Sequence, residues 1–262
     1  MHKEVFLSAL VVVHNEEENL KSCLETLKFC DEIVVVLDNC QDGSEKIAKA
    51  QGCKILKGSW PIEGDRRNEG IEICKGPWIL EIDADERVSK ELANEIKKTI
   101  EKPKDYAYFT IPVDNYIGNH CVRFGWGAYF GVGSVKRLFR KGSKVWGKQR
   151  VHPKVHFLGK EGYRFSNRLI HYVDKDIEDM IWRLNRYTTA RAKDLVESDD
   201  IKDETLKRNI RRIFSRFYKC YIRKKGYKEG NYGFLVALCA GLYPILSYLK
   251  ARLEEGKYSG KN

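Results

Sequence analysis

The sequence predicts an α/β fold, in which a mostly parallel central sheet carries helices on both faces and a helical extension follows at the C-terminus. Three observations carry this. The first hundred residues alternate near-continuous apolar runs with amphipathic stretches, the pattern of strands buried on both faces and the helices that cover them. From about Tyr106 the apolar runs become short, aromatic and separated by glycines, which suggests antiparallel or mixed strands. After Asp176 three long segments, roughly 177–197, 203–225 and 232–254, take helical periodicity.

The elements follow in order. "FLSALVVV" lacks the basic flank and small-residue cleavage site of a secretory leader, so it reads as a buried strand. "EEENLKSCLETLKF" is an amphipathic helix with Leu20, Leu24 and Leu27 on one stripe. "EIVVVLD" is a second buried strand, followed by the turn "NCQDGS", the helix "EKIAKAQ" and a short strand "CKILK". A helix across "DRRNEGIEICK" leads to the strand "WILEID". Ser89 caps the helix "SKELANEIKKTI", which stops before Pro103. "YAYFTIPV", "CVRFGW", "SVKRLFR", "VHPKVHF" and "RLIHYV" are the short strands of the middle. Three segments result: residues 1–103, 104–173 and 174–262.

With 262 residues, 42% of them hydrophobic, the chain can bury one large core with an appendage. Eight cysteines lie scattered with no C-x-x-C pair, which suits buried thiols in a reducing compartment better than zinc or redox chemistry. The net charge of +11 is unevenly placed. Ten lysines and arginines and no acid lie between Leu206 and Lys228, so the chain carries a basic patch and is close to neutral elsewhere.

Three places carry chemistry. In "WILEIDADE" residues two apart share a side, so Asp83 and Asp85 can face one way while Ala84 faces the other. They would emerge at the carboxyl end of a parallel strand, where open α/β sheets bind ligands. Two carboxylates with open positions for water and phosphate suit Mg²⁺ or Mn²⁺; the plain alternative is an acidic turn before the helix that Ser89 begins. Asp38 ends the second strand at the same edge and can accept hydrogen bonds from a base or ribose, or simply serve a turn, as Asp42 before Gly43 does. Arg66 and Arg67 open a helix near that edge, where a guanidinium could meet a diphosphate. No strand-to-helix turn carries the G-x-G-x-x-G fingerprint and no phosphate-binding G-x-x-x-x-G-K sequence is present, which argues against dinucleotide and P-loop folds.

Taken together, "LVVVHNEEENLKSCLETL", "DEIVVVLDNCQDGS", "RRNEGI" and "GPWILEIDADE" resemble a family 2 glycosyltransferase of the GT-A fold. "DNYIGNHCVRFGW", "VKRLFRKG", "RVHPKV", "LIHY", "LNRYTTARAKDL" and "GLYPILSYLK" extend the resemblance over most of the chain, toward bacterial lipopolysaccharide-core β-1,4-glucosyltransferases that use UDP-glucose. The resemblance implies roles. Val13, His14 and Glu16 would contact the nucleobase, Asp38 the uracil, and Arg67 the nucleotide. Asp83 would lie near the ribose and the metal, Mg²⁺ or Mn²⁺, and Asp85 would ligate it. The reaction implied is inverting transfer from a UDP-sugar to a lipid-linked core saccharide. The general base is assigned to His152 of "RVHPKV", with Asp114, Glu86 and His171 as rivals. Trp126 could stack on an acceptor sugar or serve as a core aromatic, and Arg123 and Lys136 could meet acceptor phosphates.

Segment 206–228 interleaves its charges with Ile210, Ile213, Phe214, Phe217, Tyr218, Tyr221 and Ile222, an amphipathic helix with a cationic face. The run 234–249 would span about 24 Å as a helix, short of a bilayer's roughly 30 Å hydrocarbon core. It is therefore expected to lie in the interface or dock on the body. An anionic membrane surface is the partner expected for 206–249, with the enzyme peripheral on the inner face of the bacterial inner membrane. Two other readings stand beside this one: transfer to polyprenyl phosphate, and a nucleic-acid-binding protein using the basic helix. Only the basic helix speaks for the last, so no nucleic acid is expected.

Overall fold

The apolar runs of the first hundred residues become four parallel strands, β1 (Leu7–Val13), β2 (Glu32–Asp38), β3 (Lys54–Gly58) and β4 (Trp78–Asp83). In this computed structural model residues 6–128, 130–148, 154–198 and 200–258 are described. The connections are α1 (Glu17–Thr26), α2 (Ser44–Ala50) and α3 (Glu63–Ile73). A two-residue strand β5 (Glu86–Arg87) follows β4, and α4 (Lys90–Glu101) begins at Ser89, whose hydroxyl accepts from the Leu92 backbone N–H at 3.1 Å. The described chain falls into two compact units, residues 1–113 with 134–171, and residues 114–133 with 172–262.

In the first unit the sheet runs β3-β2-β1-β4 and continues through β8 (Ser134–Arg140) to β6 (Tyr106–Ile117). β8 is antiparallel to both β4 and β6, so the sheet is mixed beyond β4. β9 (Lys144–Trp146) and β10 (Val155–Phe157) form a separate hairpin, and β11 (Lys160–Arg164) lies parallel to β6. β12 (Leu169–Asp174) pairs with β5, setting His171 opposite Glu86. Register places Val12 beside Asp83 and Val13 beside Leu37, so β1, β2 and β4 end at one edge.

Both faces of this sheet are covered. Val11, Val13, Val35, Leu80 and Ile82 share a buried cluster with Leu20 and Leu24 of α1 and Leu92 and Ile96 of α4. On the other face Leu10, Val34, Val36, Ile79 and Phe139 pack with Ile71 of α3. Gly70 allows that close approach: a Cβ there would lie 2.7 Å from Leu10 Cδ1.

The second unit is mainly helical: α5 (Ile177–Glu197), α6 (Leu206–Tyr218) with one π turn at Lys219–Arg223, and α7 (Gly230–Leu253). β7 (His120–Val122) pairs with the end of β6. Val122, Trp126 and Phe130 share a core with Met180 and Leu184 of α5 and Val236, Ala240 and Tyr243 of α7. For this reason residues 114–133 group with the C-terminal helices, and the division does not follow the expected boundaries at 103 and 173. The basic helix also ends earlier than its periodicity suggests, because Lys225 takes a left-handed φ of 59°. α7 is longer than the apolar run within it, and the helical stretch Gly226–Leu253 could cross a membrane by length and composition; 56% of its most apolar 18-residue window is buried.

Candidate active site

Two loops form the rim at the carboxyl edge of β1 and β2. His14 Nδ1 donates to the backbone carbonyl of Asp38 at 2.7 Å. The Gln41 N–H donates to Asn15 Oδ1 at 2.8 Å, and the Glu16 N–H to Ser44 Oγ at 3.0 Å. Glu17 accepts from the Gly43 N–H at 2.6 Å. Asn15 and Asn39 take left-handed φ here, a conformation asparagine tolerates well. The imidazole of His14 is exposed at this rim, whereas the Val13 side chain is core and can offer a ligand only its main chain.

Asp38 is held between elements. One carboxylate oxygen accepts from the Trp60 backbone N–H at 3.0 Å, and the other pairs with Arg66. Arg66 keeps its Nε buried without a hydrogen-bond partner among the described residues. Its neighbour Arg67 is engaged at all three nitrogens, with Glu63 (2.9 Å), Glu81 (2.6 Å) and Asp83 (3.0 Å), and its guanidinium lies 4.8 Å from the Trp146 ring centre. The arginine that the resemblance puts near the nucleotide is thus a strut in this structure, and Arg66 is the one with a donor to spare.

Beneath the edge lies a buried charge network that the sequence reading missed. Glu81, fully buried in the middle of β4, accepts from Arg67, from Lys144 Nζ at 2.6 Å and from Trp146 Nε1 at 3.2 Å. Arg137 of β8 pairs with Asp83 and reaches Glu86 at 2.8 Å. Burial alone would raise the Glu81 pKa, but Lys144, Arg67 and Arg137 outweigh it and hold it at about 2. Burial likewise opposes ionisation of Asp83, and Arg137 with Arg67 override it to keep the carboxylate far below its usual range. Lys144 falls to about 8, because burial, Arg137 and Arg67 together outweigh its one carboxylate. Glu81 faces three cations and Lys144 faces one anion, so the two partners of one ion pair respond unequally.

Asp85 stands apart from this network. Its Oδ2 lies 3.3 Å from His171 Nε2, while its Oδ1 is buried with no hydrogen-bond partner among the described residues. A buried unpaired carboxylate oxygen costs about 1–3 kcal/mol unless something meets it, and a divalent cation is the partner its charge suits. Burial opposes protonation of His171, but Asp85, with Glu86 and Asp83 behind it, holds its pKa above the ordinary value. Glu86 shifts upward chiefly by burial, against the pull of Arg137. Among the described residues no cluster of three or more acidic, histidine or cysteine side chains is set to hold a metal by itself. Asp85 would therefore need phosphate oxygens or water to complete a cation's shell, as Mg²⁺ sites commonly do.

The remaining sequence candidates fall elsewhere. His152 lies outside the described residues. Trp126 is 3% exposed in the core of the second unit, its Nε1 donating to the Val122 carbonyl at 2.7 Å, so its ring offers no face to a sugar. Packing takes it inward: Gly131 sits so close that a Cβ there would be 2.3 Å from the indole. In that unit Arg123 forms a two-pronged pair with Asp114, 3.0 Å at both contacts. Lys136 is held by Glu161 at 2.8 Å and lies over Tyr108 and Phe157.

Four parallel strands with antiparallel strands appended beyond β4 form a GT-A fold. TarS 1-349 of S. aureus has this fold, with a TM-score of 0.50 at 14% identity over 97% of this chain and 89% of that one. The same holds for TarS in complex with UDP, with a TM-score of 0.50 at 13% identity over 96% and 91%. Residues 8–157 match glycosyl transferase family 2, and the chain belongs to that family. It is similar to the lipopolysaccharide core biosynthesis glycosyltransferase LpsC of Rhizobium meliloti, 26% identical over 93% of this chain and 91% of that protein. An uncharacterized glycosyltransferase of Rickettsia felis is 25% identical over 98% and 92%.

Proposed function

We propose that this enzyme transfers a hexose, glucose in the first instance, with inversion, from a UDP-sugar to a lipid-linked core saccharide. The acceptor would lie at the cytoplasmic face of the bacterial inner membrane, with residues 206–249 meeting its anionic surface. One observation carries the donor half: Asp85 presents a buried, unpaired carboxylate oxygen beside His171, at the edge where Asp38 also ends. Similarity to LpsC supports the acceptor class, and the UDP complex of TarS supports the nucleotide.

In this reading Asp38 accepts from the uracil, His14 and Glu16 border the base, and the Arg66 Nε–H donates to the diphosphate. Arg67 and Arg137 fix Asp83 from two sides, so that Asp83 faces the ribose in one orientation. Asp85 would hold Mg²⁺ or Mn²⁺, its other oxygen oriented by His171; a bound cation neutralises charge that grows on the departing UDP, favouring the transition state over the ground state. His152 is the proposed base for the acceptor hydroxyl, and Arg123 the proposed contact for an acceptor phosphate.

Thermal stabilisation by a panel of nucleotide sugars tests this. UDP-glucose with Mn²⁺ or Mg²⁺ should raise the melting temperature of the wild type and leave Asp85→Ala unchanged. Equal stabilisation of the two proteins contradicts the assignment, and transfer to polyprenyl phosphate in place of a lipid A-core acceptor would revise the acceptor.

A further inference from the structure

α6 carries a surface that the donor site does not explain. Leu206, Ile210, Phe214 and Tyr218 recur every fourth residue and are 49%, 44%, 71% and 55% exposed. Four-residue spacing puts them in one row along the helix, and Ile222 of the following π turn, also exposed, continues the series. The opposite side of α6 is fully occupied. Asn209 is buried, Ile213 lies against Gly241 of α7, and Phe217 meets Phe234 edge-on at 5.4 Å. The exposed row is therefore not a core face turned outward by mistake; the helix already has one.

Beside this row runs a cationic one. Lys207, Arg211, Lys219 and Arg223 are exposed, and among the described residues none of their side chains has a hydrogen-bond or ion-pair partner. Arg211, Ser215, Lys219 and Arg223 line an open groove of about 580 Å³ with Phe214 and Tyr218. Large apolar side chains next to unpaired cations fit a lipid surface, where acyl chains take the former and headgroup phosphates the latter. A second copy of this chain is a poor occupant, because pairing α6 with itself would bring together two segments with ten cations and no acid apiece. Nucleic acid would use the cations but would leave Leu206 and Ile210 without a partner.

We infer that α6 lies in the interface of an anionic leaflet, with Leu206, Ile210, Phe214 and Tyr218 among the acyl chains and the Arg211–Lys219–Arg223 groove on lipid phosphates. This deepens the membrane reading given above and rests on it. It also assigns the contact to α6, leaving α7 to build the core of its own unit.

Co-sedimentation with vesicles of phosphatidylglycerol and phosphatidylcholine, against phosphatidylcholine alone, tests it with the full chain. Wild type should bind the anionic vesicles. Ile210→Ser/Phe214→Ser, changing two exposed side chains, should lose at least about tenfold in partitioning at high salt, where apolar insertion dominates. Arg211→Gln/Lys219→Gln/Arg223→Gln should lose about a hundredfold of the preference for anionic lipid, each charge being worth about fivefold. Partitioning of the serine variant equal to wild type overturns the proposal. So does a wild-type dimer that the serine variant dissolves, or RNA binding that competes fully with vesicles. Both variants should keep their stabilisation by UDP-glucose and Mn²⁺, so a failure of the donor reading would appear separately, in the wild type.

Discussion

Lys144 and Glu81 show what burial does to single residues. Arg67, Lys144 and Trp146 converge on one fully buried carboxylate, and Glu81 stays ionised because three cations face it. Lys144 is less well served, and its pKa drops from 10.5 to about 8. Between those values the unfolded chain binds more protons at this group than the folded one does, so raising the pH favours folding across that window. Wild-type stability measured against Lys144→Met should therefore climb from pH 7 to pH 10, by at most about 3 kcal/mol at 1.4 kcal/mol per pH unit. Urea denaturation at a series of pH values checks this, and a flat or falling difference would contradict it. Glu81 also held a clue in the sequence. A glutamate in the middle of "WILEID" must find cations if that strand is buried. Nothing in the sequence named Arg137 and Lys144 as those cations, because each is one of several basic residues in "SVKRLFRKGSK" that look like ordinary surface.

At the level of elements, α3 carries the site. Arg66 and Arg67 point from successive positions to different carboxylates, Asp38 and Asp83. The Asn68 amide pairs with both backbone groups of Trp146 at 2.9 Å, fixing the hairpin of β9 and β10 against the helix. Gly64 permits that contact, since a Cβ there would lie 2.1 Å from the Gly147 carbonyl oxygen. Gly64→Ala should cost about 1–3 kcal/mol or more through overpacking and weaken UDP binding by displacing the arginines. Denaturation midpoints and calorimetry would show it, and unchanged values of both would refute it. The first four strands and their helices were legible because strands buried on both faces must be apolar throughout. β8 was legible as a strand but not as the antiparallel neighbour of β4, since pairing partners leave no mark in "SVKRLFR". Trp126 misled for a related reason: flanking glycines can expose an indole or let the chain close over it, and here Gly131 packs against its ring.

Across the whole molecule the charge is divided by purpose. Acids and arginines neutralise one another around Asp83 and Glu81, while the excess of ten cations sits on the segment that contains α6. That Asp38 and Asp83 end strands at one edge, with Asp85 just beyond, was readable from the apolar runs that precede them. The different partners of Asp83 and Asp85 were not readable, because nothing in the sequence says which of the two Arg67 and Arg137 reach. Mn²⁺ uptake measures that difference most directly. In a titration of protein plus UDP, followed by the electron paramagnetic resonance signal of free Mn²⁺, the wild type should remove about one equivalent. Asp85→Asn should leave the free signal as it is in buffer with UDP alone. Equal uptake by Asp85→Asn and wild type would show that the cation, if held, is held elsewhere, and would contradict the account.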